Sequence, residues 1–295
     1  METTTDLGEL RRQVDAIDDQ LHALLMKRTF LVGQIARQKL QGNLPALHPE
    51  REAEILRRLA RNHEGSFPVQ ALIRMWREMI SATVALQQPD FAVAVHVADE
   101  AKGSGYWDLA RDHFGSHTPM LAYPSASQVI QAVTDRRATV GILPAPQEGE
   151  SHPWWPAILS DRAPRIIARL PFGGRGNLRH DPGNAFAIGY AEFRATAEGD
   201  RSLIAIELAA EASRTRLFTA IEEAGLTYTA FVTFQQSGDT RVILVELDSH
   251  ATGADPRLLK LSEQLGSAVR RVTPLGGYAL PLSLGQPDES GASPS

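Results

Sequence analysis

Apolar residues recur along the first ninety positions at alternating steps of three and four. From Leu7 the series runs through Leu10, Val14, Ile17, Leu21 and Leu24, skips position 28, and resumes at Leu31 and Ile35. This is the spacing of one long amphipathic helix with a continuous seam. The pattern stops near Gly42-Asn43, with Pro45 beyond. Pro49 then opens a second helix, with Glu50 and Glu52 in the first turn, where carboxylates suit the helix dipole, followed by Ile55, Leu56 and Leu59. Gly65-Ser66-Phe67-Pro68 ends it. A third helix carries Leu72, Trp76, Met79, Thr83 and Leu86 on one stripe. Thr83 is thus a polar residue in an apolar lane, with Gln87 one turn later on the same face. Residues 1–90 read as an all-helical domain.

From Phe91 the periodicity changes to alternating strands and helices, which predicts an α/β layer on a mostly parallel sheet over 91–200. FAVAVHV, PMLAYP and TVGILPA read as strands, and YWDLARDHF and SASQVIQAVTD as helices. The loop Gly103-Ser104-Gly105 reads as a turn first and an anion cradle second. Between Pro144 and Gly183 the chain is rich in Pro, Gly and Arg, and only RIIARLPF reads as regular. Beyond Ser202 a β-α-β-β-α-β order follows, the signature of a ferredoxin-like unit over 201–284. The tail, 285–295, has a disordered composition.

Composition narrows the function classes. Of 295 residues, 43% are hydrophobic and 22% charged, ordinary values for a globular protein. With 30 basic and 35 acidic residues the net charge is −5, which argues against a nucleic-acid scaffold and for small-molecule partners. There is no cysteine, so disulfides and thiolate metal sites are excluded, and nothing calls for a metal or cofactor. The opening METTTDLGELRR has no apolar leader, and no apolar run approaches the roughly 20 residues of a membrane span, so a cytoplasmic protein is expected.

The sharpest chemical signal is Arg28, a guanidinium in a slot of the helical seam. Burying it costs several kcal/mol unless an anion meets it, either a protein carboxylate such as Asp18 or an anionic ligand. Arg28 and Lys39 stand eleven residues apart on one side of the helix and could grip a ligand across roughly 16 Å. Arg11 lies roughly 25 Å from Arg28 along the same helix, too far to share a small ligand within one subunit. An antiparallel second copy would bring its Arg11 to the Arg28 pocket, and dimerisation would also hide the apolar seam.

The stretches LGELRRQVDAIDDQLHALLMKR, the Lys of RQK, PEREAEIL and ISATVALQQ, spread over residues 6–88, resemble the all-helical class of chorismate mutases. The resemblance implies an intertwined homodimer that converts chorismate to prephenate. Arg11 of one subunit and Arg28 of the other would hold the two substrate carboxylates, with Lys39 and Gln87 donating to the ether oxygen. Arg51, Glu52 and Thr83 would complete the pocket, Glu52 meeting the ring hydroxyl. On this reading Lys39, Gln87 and Arg28 are the catalytic residues. Family members often carry an Asp where this chain has His48, so the contact to the ring hydroxyl changes character there.

The order of the remaining regions resembles bifunctional chorismate mutase/prephenate dehydratases, which end in a phenylalanine-sensing ACT domain. Several motifs depart from that family. Pro146-Gln147-Glu148 replaces an Asn-Ser pair, Asn184-Ala185-Phe186 replaces a Thr-Arg-Phe triplet, and about 110 residues are too few for two lobes. Ser213-Arg214-Thr215 stands for a Gly-Ala-Leu turn, and Phe231 to Gln236 lacks a Glu-Ser-Arg-Pro run. The expectation is a chorismate mutase with a reduced dehydratase-like region whose activity is lost, an ACT-like unit, and phenylalanine as a candidate effector. An isochorismate pyruvate lyase and a non-catalytic chorismate-sensing regulator are the alternatives.

Overall fold

The computed structural model describes residues 6–41, 45–98, 104–174, 176, 182–209, 211–235 and 240–283, excluding the side chains of 39–41, 104 and 235. The tail reading for 285–295 therefore lies outside the described residues, as does Gly103 of the anion-cradle reading.

Three helices open the chain: α1 (Leu7–Gln41), α2 (Pro49–Arg61) and α3 (Val69–Gln87). Pro49 begins α2 with Glu50 and Glu52 in its first turn. The seam of α1 stands in the open. Leu10, its least exposed member among the seven from Leu7 to Leu31, still shows 45% of its surface, and Leu24 shows 62%. In contrast α2 and α3 are rooted in the next region, because Leu56, Ile73, Ile80 and Val84 share one buried cluster with Phe91, Leu109, Phe114, Ile167 and Phe172. Burial of side chains this large is worth roughly 1.5–3 kcal/mol each, which makes the two helices part of the sheet's core.

Beyond them the order is β1 (Val93–His96), α4 (Ser104–Phe114), β2 (Met120–Tyr123), α5 (Ala126–Thr134), β3 (Val140–Pro144), β4 (Arg165–Leu170) and β5 (Ala185–Gly189). Then follow β6 (Asp200–Ala209), α6 (Arg214–Glu223), β7 (Tyr228–Gln235), β8 (Thr240–Leu247), α7 (Pro256–Leu265) and β9 (Val269–Ala279). All strands join one sheet in the order β2-β1-β3-β5-β4-β9-β6-β8-β7. Its last four strands are antiparallel, the arrangement that the β-α-β-β-α-β reading predicts.

The first half corrects the expectation of a mostly parallel sheet. β1 is parallel to β2 and β3, but β5 runs antiparallel to both β3 and β4, so the sheet is mixed. β5 escapes a sequence reading because all five of its residues are buried, and a short continuous apolar run lacks alternation.

The two halves meet at one parallel pair, Ile166 with Gly276. Gly276 has φ +115°, and a Cβ there would stand 2.2 Å from the Ile166 carbonyl oxygen, so only glycine lets β9 approach β4. Arg57 of α2 fastens the helices to the same seam. It donates to Thr196 Oγ1 (2.8 Å), to the carbonyls of Gly199 (2.7 Å) and Leu280 (2.9 Å), and to that of Glu198.

Gly276→Ala is expected to lower unfolding stability by roughly 3 kcal/mol through backbone strain and displacement of β4. Gly253→Ala, whose new Cβ meets nothing within 4 Å, should change it by less than about 0.5 kcal/mol. Urea unfolding of both variants checks the pair.

Candidate active site

A pocket of about 480 Å³ opens where α1, α2 and α3 come together. Arg28 reaches it from α1, His48, Arg51 and Glu52 from the start of α2, and Thr83 and Gln87 from α3, so six of the eight sequence-predicted residues line it. Its apolar walls include Val32, Ile35, Ile55, Trp76 and Ile80. Arg11 does not line it and is exposed near the far end of α1. The Lys39 side chain lies outside the described residues.

Arg28 is the electrostatic centre of the pocket. Its Nη1 is buried and has no hydrogen-bond partner, and no ion pair to Asp18 forms among the described residues. Desolvation pulls its pKa below the ordinary guanidinium value. A buried donor without an acceptor is costly, and a site that retains one is suited to an anion.

His48 sits beside Glu50, its Nδ1 3.4 Å from Glu50 Oε1, while His48 Nε2 and Glu50 Oε2 are buried and unpartnered. Burial pushes the Glu50 carboxyl up, but the hydrogen bond with His48 and the nearby positive charges outweigh it and leave the group below its usual value.

Glu52 is held by Arg77 of α3, whose Nη1 donates to Oε2 at 2.9 Å. Both are desolvated: burial raises the Glu52 carboxyl against the pull of Arg77, and lowers Arg77 to about 10. This pair is neutral in sum, so Arg28, Arg51 and the rim residue Arg58 leave the pocket with net positive charge.

The α3 polar groups are turned onto their own helix. Thr83 Oγ1 donates to the carbonyls of Met79 (3.1 Å) and Ile80 (2.8 Å), and Gln87 Nε2 donates to Thr83 O (3.0 Å). An amide carries two N–H groups, so Gln87 keeps a donor for a ligand. Arg51 pairs with Glu54 at 3.2 Å on the exposed side.

Sequence reading missed Arg58 and Arg77. A signal for Arg77 existed, since the buried stripe Ile73, Arg77, Ile80, Val84 puts a guanidinium in an apolar lane just as α1 does at position 28.

Comparison with known proteins finds similarity over this helical segment. Residues 10–88 match the model of the family chorismate mutase type II. A bifunctional chorismate mutase/prephenate dehydratase of Aquifex aeolicus is 33% identical over 144 residues, covering 47% of this chain and 38% of that protein. Its counterpart in Pseudomonas aeruginosa is 29% identical over 152 residues, covering 49% and 40%. The chain thus spans about two fifths of the length of these relatives. A solved prephenate dehydratase from Streptococcus mutans overlays with a TM-score of 0.47 at 13% identity, covering 65% of this chain and all of that one. The helical segment is of the chorismate mutase type, followed by a mixed α/β sheet region. No described helix is long and apolar enough to cross a membrane.

Because the buried Arg28 Nη1 has no hydrogen-bond partner among the described residues, Arg28→Met should leave unfolding stability unchanged or raise it by up to about 1 kcal/mol. A fall of more than about 2 kcal/mol in urea titration would mean that the cation is structural.

Proposed function

We propose that the protein is a chorismate mutase working as a homodimer in the cytoplasm. The observation that carries this reading is the unpartnered Arg28 donor inside a pocket of net positive charge on a segment of the chorismate mutase type. Chorismate is a dianion with a ring hydroxyl and an enol ether, and the pocket offers groups for each. Arg28 takes one carboxylate, and Arg11 of the partner subunit takes the other. The exposed apolar seam of α1 supports the pairing, since contiguous apolar surface of this extent marks a contact site.

The rearrangement needs no nucleophile, metal or proton transfer. Clamping both carboxylates fixes the chair-like conformer in which the migrating carbons meet, which removes much of the entropic barrier. As the ether C–O bond lengthens, negative charge builds on its oxygen. Lys39 and Gln87 donate there and hold the transition state more tightly than the ground state. Glu52 accepts from the ring hydroxyl, and Arg51, Thr83 and His48 close the wall around it. His48 replaces a carboxylate with a group that donates through Nε2 in one tautomer and accepts in the other.

In the second half, we read β6 to β9 with their helices as an ACT-type unit over residues 201–284 and the region 91–200 as dehydratase-like without dehydratase activity. Gln147, Asn184 and Phe186 line a separate cavity of about 300 Å³ there. Formation of phenylpyruvate from added prephenate would overturn the inactive reading, and calorimetry with phenylalanine tests the effector.

Loss of chorismate absorbance with prephenate as product is the expected outcome for the full chain; salicylate with pyruvate, or no turnover, refutes the mutase. Lys39→Ala should cut kcat by about a hundredfold to a thousandfold with a much smaller change in KM. Arg11→Ala and Arg28→Ala should each be inactive alone, yet an equal mixture after subunit exchange should recover about a quarter of full activity, because half the dimers then carry one intact site of two.

A further inference from the structure

The α/β region does more than follow the mutase helices in the chain. α3 is fastened to α4 and the turn after it by two polar contacts. Arg74 grips Asp112 bidentately (3.0 and 2.8 Å), and Glu78 accepts the Ser116 N–H at 3.0 Å from both carboxylate oxygens. Between them sits Arg77, 4% exposed, its guanidinium carbon 5.1 Å from the centre of the Phe172 ring. His113 of α4, 8% exposed, lies behind it and is kept neutral by burial and by the charge of Arg77. Phe172 and His113 both belong to the region after residue 90. The cation that holds Glu52 is therefore oriented by that region and not by the three-helix segment alone.

We propose that Arg77 is a positioning residue for the mutase site, clamped by Phe172 and His113 so that it presents Glu52 to the pocket as a carboxylate, and that the α/β region thereby sets the activity of the helical segment. The inference rests on the chorismate mutase reading and deepens it. Glu52 accepts most strongly from a ring hydroxyl while ionised, and its surroundings are apolar enough to favour the neutral acid, a weaker acceptor. The charged and titratable groups about it are Arg28 from α1, His48, Glu50, Arg51 and Arg58 from α2 and its start, and Arg77 from α3, with Asp112 and His113 of α4 beyond Arg77. Of these, Arg77 alone pairs directly with it among the described residues. Removing that cation, which donates at 2.9 Å, takes away the main counterweight to desolvation, so the carboxyl takes up its proton at a higher pH.

The test uses the full chain and its variants Arg77→Met, Arg77→Lys, Phe172→Leu, Glu52→Gln and the double variant Glu52→Gln/Arg77→Met, with kcat/KM for chorismate measured across pH. Arg77→Met is expected to move the acid limb up by about one pH unit or more, a loss of tenfold or more on that limb, while Arg77→Lys restores most of the wild-type profile. Phe172→Leu should shift it in the same direction by less, and it carries the experiment should Arg77→Met not fold. In the Glu52→Gln background the Met substitution should change kcat/KM less than twofold, since the group it positions is gone. An unshifted profile in the folded Arg77 and Phe172 variants, or an equal loss with and without Glu52, overturns the proposal. Should the wild-type chain turn over no chorismate, the mutase reading falls by itself. The inference is then decided by carbon NMR titration of the carboxyl resonance that Glu52→Gln abolishes: a higher titration point in Arg77→Met sustains it, and an unchanged one refutes it.

Discussion

A guanidinium taken out of water has to find an anion, and this chain meets that demand in two opposite ways. Arg77 and Arg28 both occupy apolar lanes of amphipathic helices. Arg77 is answered within the protein by Glu52, so its charge is neutralised inside the scaffold and it reaches a ligand only through that carboxylate. Arg28 has a buried donor with no acceptor among the described residues, which makes its slot a place suited to an anionic ligand. Desolvation acts on both, since burial lowers both guanidinium pKa values, and the presence or absence of one carboxylate separates scaffold from site.

The same contrast runs through the packing. α2 and α3 bury their apolar faces against the sheet region and carry Arg57, Arg74 and Glu78 as polar fasteners to it. α1 keeps nearly all of its seam exposed. One side of the pocket is consequently built on a rigid wall continuous with a nine-stranded sheet, while the other is a single helix with unburied apolar surface. A second copy that covered α1 would complete the pocket and the core in one step, which is why the oligomeric state and the chemistry are one question here.

The mixed sheet shows how far one backbone position can govern architecture. Strands of the two halves touch at a single parallel pair, and that contact depends on Gly276 having no side chain. The sequence around it, VTPLGGYA, reads as an ordinary strand end, and nothing local announces that another strand's carbonyl will lie where a Cβ would stand.

Much of the helical segment was legible because its signals are local and periodic. The three helices, the start of α2 at Pro49 and the anomaly at Arg28 follow from spacing, and six of the eight predicted residues come together in one pocket because helix geometry projects regular steps onto one face. The β-α-β-β-α-β order was legible for the same reason. Tertiary structure alone decided that β5 inserts antiparallel between β3 and β4, that α2 and α3 root in the sheet's core while α1 does not, and that Arg77 faces Glu52 with Phe172 and His113 behind it. Each of these joins residues far apart in the chain through burial and charge neutralisation, and such pairings depend on which surfaces are left over once every local element has formed.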